Sequence, residues 1–118
     1  VKRRDPRKFP TLEAFIESED YTRLQKRSPN GDAFIRRLKD EQLEISSIKL
    51  SPIFYGSGYQ INIHSADNQQ FRMDIDNEGF PSTYTYCRGD RWEFIHTNEV
   101  DEVVKAAVTF LKQPQDIK

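Results

Sequence analysis

The segment Asp74-Ile75-Asp76-Asn77-Glu78-Gly79 comes closest to a chemical motif. It places carboxylates at positions 1, 3 and 5 of a calcium loop and glycine at position 6, where an oxygen-rich cation site turns sharply. Position 12 is Thr85, where such a loop needs a bidentate Glu, and no helical pattern flanks the segment. A solvated hairpin turn is the reading the residues support.

Other combinations each lack a member. Cys87 with His64 or His96 could pair a nucleophile with a base. No motif surrounds them, and a lone Cys usually behaves as a small apolar residue. Asp74, Asp76 and Glu93 could hold a metal for phosphodiester cleavage. Such a site also wants a Lys, residues 59–96 contain none, and Arg72 and Arg91 substitute poorly. Two His and one Cys are too few for a structural zinc site. Arg88-Gly89-Asp90 matches an attachment tripeptide, but Gly and Asp are equally the residues of a tight turn. Gly56-Ser57-Gly58 leads into a strand, not into the helix N-terminus that a phosphate-binding loop needs. The expectation is a non-enzymatic protein with no cofactor and no metal.

Binding residues stand out more than catalytic ones. Tyr84, Tyr86, Arg91 and Trp92 are of the types enriched at interface hot spots, with Arg72 and Asp74 on an adjacent strand. Two placements stay open, because alternation does not say which side of a strand is inward. With Trp92 and Phe94 in the core, one polar side would hold Gln60, Asn62, His64, Arg72, Asp74, Thr83, Thr85 and Glu93. With Tyr84, Tyr86 and Trp92 exposed, they would mark the contact surface themselves.

These residues sit in a run of four strands from Tyr59 to His96. Tyr59, Ile61 and Ile63 alternate with Gln60, Asn62 and His64; Phe71, Met73 and Ile75 alternate with Arg72, Asp74 and Asp76. Ala66-Asp67-Asn68, Asn77-Glu78-Gly79 and Arg88-Gly89-Asp90-Arg91 supply turns about ten residues apart, a hairpin spacing. Ile45 to Leu50 precedes them as a further strand, ended by Ser51-Pro52.

Helices flank the strands. Thr11 caps a stripe of Leu12, Phe15 and Ile16 that breaks at Glu17 to Asp20 and resumes at Tyr21 and Leu24, which implies either one bent helix or two short ones with Ser18 capping the second. Ser28-Pro29-Asn30-Gly31 reads as a turn, and Asp32 as the cap of a third helix ending near Gln42 or Leu43. The last helix starts at Asn98 and repeats Val100, Val103, Val104, Ala107, Val108 and Leu111 until Pro114 stops it.

The fold expected is α+β. A sheet of about five mainly antiparallel strands, with a meander over 59–96, is covered on one face by two or three N-terminal helices and one C-terminal amphipathic helix. Residues 1–10 form a basic arm and 11–118 a single domain, since 118 residues suit one core.

Charge and cysteine usage narrow the function classes. The net charge is −1, which does not mark a nucleic-acid or membrane binder. Residues 1–50 carry +3 (12 Lys/Arg against 9 Asp/Glu) and residues 51–118 carry −4 (6 against 10). Cys87 is the sole cysteine, so a cytoplasmic, reducing setting is expected. No apolar run is long enough to cross a membrane. The function expected is binding to another protein through the sheet face, as an inhibitor, an immunity-like protein or an accessory factor. The alternative is a nucleic-acid-binding accessory protein that uses Arg3 and Arg4 of the arm and Arg23, Arg27, Arg36 and Arg37 of the helices, as phosphate contacts would require.

Overall fold

The computed structural model describes residues 8–43, 45–52, 58–65, 69–76, 78–88 and 91–112, with the backbone alone for Pro52, Arg88, Arg91 and Lys112. In chain order the elements are β1 (Lys8–Phe9), α1 (Leu12–Ile16), α2 (Glu19–Arg27), α3 (Pro29–Asp40), β2 (Ile45–Pro52), β3 (Tyr59–Ser65), β4 (Gln70–Ile75), β5 (Pro81–Arg88), β6 (Arg91–His96) and α4 (Val100–Lys112). The class is α+β, as the alternation of patterns implies. Residues 1–7, Gly56-Ser57, residues 66–68 where a turn is expected, Asn77, Gly89-Asp90 and Pro114 lie outside the described residues.

The sheet has six strands, not five, in the order β1-β2-β3-β4-β5-β6, and every pair is antiparallel. The added strand is β1, the end of the segment read as a basic arm. Phe9 meets the Phe15 ring edge-on at 5.6 Å between centroids. That contact draws Lys8 and Phe9 alongside Lys49 and Ile48 as a short edge.

The helix starts show which side-chain oxygens win. Thr11 Oγ1 accepts from the Ala14 amide at 3.0 Å, and Ser18 Oγ from Tyr21 at 3.3 Å, as capping requires. The third cap differs from expectation. Ser28, not Asp32, caps α3, and the apparent turn Ser28-Pro29-Asn30-Gly31 is its first turn. Proline at the first helical position lacks only an N–H that would have no partner there, and its φ is already helical. Ser28 Oγ accepts from the Gly31 amide and donates to the Gly79 carbonyl, both at 2.8 Å, while Asn30 Nδ2 reaches the same carbonyl at 3.0 Å. This buried tie joins α3 to the β4–β5 loop. Gly79 there has φ +89°, a conformation that glycine adopts without strain. Asp32 instead accepts from the Tyr21 hydroxyl and from Arg36 Nε, the latter at 2.9 Å. The helix ends at Asp40, slightly before the expected Gln42 or Leu43; Gln42 has φ +56°. Asn98 gives its side-chain amide to the Pro81 carbonyl at 3.1 Å, and α4 begins at Val100.

One core gathers Phe15, Leu24, Phe34, Ile35 and Leu38 of α1–α3, Ile48, Ile61, Ile63, Phe71 and Met73 of the sheet, and Val103, Ala107 and Phe110 of α4. Each sheet residue in it belongs to one alternation set, so the helices lie on one face. Burying each large side chain contributes roughly 1.5–3 kcal/mol. α4 packs on β4 and β5 and against α3. On the strand next to these, Glu93 is exposed and Ile95 half-buried.

Candidate functional site

Among the described residues no helix lies on the other sheet face, and register defines its contents. One row across the strands runs Ser47, His64, Gln70, Cys87, Trp92. The next runs Lys8, Lys49, Asn62, Arg72, Thr85, Phe94. The third runs Ser51, Gln60, Asp74, Thr83, His96. Trp92 and Phe94 are thus on the polar face, 39% and 65% exposed. Glu93 is on the helix-covered side, opposite Tyr86. This corrects the polar set drawn from alternation, which held Glu93 and excluded the two aromatics.

The reason is the hairpin register. Arg88 pairs with Arg91 across a two-residue connection. That length puts Trp92 opposite Cys87 and Phe94 opposite Thr85. Two-residue loops are the commonest hairpin connections.

The six expected contact residues therefore separate. Arg72, Asp74 and Trp92 share the open face. Tyr84 is buried on the covered side, stacked on Phe71 at 5.6 Å, and Tyr86 is half-buried there, 5.0 Å from Phe110. The Arg91 side chain lies outside the described residues. Tyr84 and Tyr86 do line a shallow groove of about 470 Å³ between β5 and α4, together with Phe110 and Glu102. Burial, then Glu102 and Tyr86, pushes the Tyr84 hydroxyl above its ordinary pKa.

A continuous polar chain crosses the open face. Gln60 Nε2 donates to Asp74 Oδ1 at 2.9 Å, and Asn62 Nδ2 donates to Gln60 Oε1 at 3.1 Å. Arg72 Nε donates to Asn62 Oδ1 at 2.9 Å. The Arg72 guanidinium then lies over the Trp92 ring, 5.0 Å from its centroid. Each side chain holds the next in one orientation, which lowers the entropy a partner's contact would remove. Asn62 is buried within this chain, and the neighbouring Thr85 hydroxyl is buried without a hydrogen-bond partner among the described residues.

The face is electropositive on its β1–β4 side. His64 is held below its ordinary pKa first by burial, then by Lys8, Lys49 and Arg72. Among the described residues no carboxylate forms an ion pair with Lys8, Lys49 or Arg72. The helix arginines named for nucleic acid differ. Arg23 pairs with Asp20, Arg36 with Asp32 at 2.9 Å, and Arg37 with Asp101. Arg27 lies over the Tyr59 ring at 5.8 Å. Arg3 and Arg4 lie outside the described residues.

The chemical constellations do not converge. Asp76 closes its own loop, its Oδ1 accepting from the amides of Glu78 and Phe80 at 3.0 Å each. Asp74 and Glu93 are on opposite faces. Gln70 stands between His64 and Cys87 in register, and His96 is in a different row, 3.2 Å from Thr83 Oγ1. Among the described residues no group of three or more His, Cys, Asp or Glu could hold a metal ion, and no helix is long and apolar enough to cross a membrane.

Sequence reasoning missed Lys49 and left open the side on which Phe94 lies, which the structure shows to be the open face. Lys49 was legible as the polar position between Ile48 and Leu50. Compared with protein-family models, curated proteins and solved structures, the chain matches none.

Proposed function

We propose that this protein is a small non-enzymatic binding module that captures another protein on its uncovered sheet face, acting as an inhibitor, an immunity-like protein or an accessory factor. The observation that carries the proposal is the exposure of Trp92 and Phe94 on that face beside Arg72. Aromatics left in water forgo the free energy their burial would yield, and Trp and Arg dominate interface hot spots. Phe94 has no core role to explain its type. The hydrogen-bonded chain from Asp74 through Gln60 and Asn62 to Arg72 supplies an ordered polar surround for such a contact. Cys87 as the sole cysteine supports a reducing, cytoplasmic setting.

Affinity capture from the native host tests the proposal. The whole chain and its Phe94→Asp variant would be immobilised in parallel, after both are shown to melt at the same temperature. A protein retained by the first and lost by the second is the expected result. Equal recovery on both would overturn the assignment of this face.

A further inference from the structure

The charges of the open face specify what kind of partner surface fits it. We infer that the partner is acidic where it docks, presenting a carboxylate to Arg72 and a second to Lys49. This deepens the protein-binding reading and rests on it.

Arg72 is built for the task. Its Nε is engaged by Asn62 and its plane is held over Trp92. No acceptor among the described residues takes its terminal amino groups. A guanidinium fixed in this way offers a fork that matches a carboxylate bidentately, with little entropy left to lose. Lys49 is in the same row two strands away, about 10 Å at the usual strand spacing. Lys8 extends the row to the sheet edge. Their field reaches His64 in the adjacent row, which all three cations disfavour as a charged ring. An acidic surface would neutralise this field, whereas a basic one would add to it. Asp74, one row away, is held by Gln60.

The same cations could meet phosphates, and one feature favours carboxylates. Single-strand binders stack successive bases on several aromatic platforms. Here, among the described strand residues, the Trp and Phe of the open face are both on β6, and Arg72 already covers a face of Trp92.

The probes are decaglutamate and decauridylate, each titrated into the whole ¹⁵N-labelled chain at low salt. Decaglutamate is expected to give saturable amide shifts in β2, β3 and β4 around Lys49, His64 and Arg72. Binding should weaken as salt screens it. Arg72→Gln and Lys49→Glu should each reduce the affinity about tenfold, as expected when a charge partner is lost at a contact. The Lys49 side chain makes no hydrogen bond among the described residues, so its variant guards against a mere loss of folding. Arg36→Gln should change nothing. No saturable shift at low salt, or shifts centred on the helices, would overturn the inference. Tighter binding of decauridylate at the same residues would overturn it in favour of nucleic acid. A captured protein that Phe94→Asp abolishes, but that Arg72→Gln and Lys49→Glu leave unchanged, would overturn the acidic partner alone and leave the protein-binding reading standing.

Discussion

The helix side and the open sheet face use the same residue types to opposite ends. On the helix side Arg23, Arg36 and Arg37 each meet a carboxylate of the chain itself, and the aromatics Phe15, Phe34 and Phe71 are fully buried. On the open face Lys8, Lys49 and Arg72 meet none among the described residues, and Trp92 and Phe94 stand in solvent. Exposed ion pairs contribute little to stability, so the helix pairs chiefly cancel charge. Charge left uncancelled beside exposed aromatic area is the composition of a binding surface. A count of basic residues along the chain points to the helices, and it misleads because it omits the carboxylates that the helices bring beside them.

The comparison breaks most decisively at a paired substitution in the two halves. Phe71→Ala removes a fully buried ring that stacks between Phe34 and Tyr84, at 6.4 and 5.6 Å. It should cost about 3–5 kcal/mol in denaturant unfolding. Phe94→Ala, at 65% exposure, should cost under about 0.5 kcal/mol by the same measurement, as surface changes do. Equal costs would mean that Phe94 is a structural residue and the two faces are not distinct.

Ser28→Ala tests the buried tie beneath the helix layer. It deletes a cap, leaves the Gly31 amide without its acceptor and leaves the Gly79 carbonyl with Asn30 as its remaining side-chain donor. A loss of about 1–3 kcal/mol is expected in the same unfolding measurement, with capture through Trp92 and Phe94 unaffected.

Thr85→Val should move the other way. The hydroxyl is buried and has no hydrogen-bond partner among the described residues, so a methyl in its place removes an uncompensated desolvation. A gain of about 1 kcal/mol in stability is expected. A loss would show that the hydroxyl has a partner in solution.

The smallest effect is a titration. His64 is held low, so the folded state prefers its neutral ring. As pH falls, the unfolded chain takes up the proton first. The stability that His64 contributes is therefore present above its unfolded pKa of about 6.5 and is lost as pH falls through its lower folded pKa. Lys49→Gln should raise the His64 midpoint in an NMR titration, only partly, since burial is the larger cause. Arg36→Gln should leave it unmoved. An unchanged midpoint in Lys49→Gln would remove the positive field from the open face.

Much of the fold was legible in the residues. The alternation of Ile61, Ile63, Phe71, Met73 and Ile75 and the stripe from Val103 to Leu111 determined strands, helix and their mutual burial, because period 2 and period 3.6 each create one apolar side that must be covered. Thr11 and Ser18 capped as their side chains dictate. The sequence by itself also placed Arg72 and Asp74 on one strand face. Three matters were decided only by the tertiary structure. Ser28 displaced Asp32 as the cap of α3 because the Gly79 carbonyl, 51 positions away along the chain, takes its proton. The arm yielded β1 because Phe9 found Phe15. Trp92 and Phe94 faced outward because hairpin register, a relation between two strands, sets the side on which an alternating strand presents its aromatics. Alternation within β6 is compatible with either side, and pairing with β5 selects one.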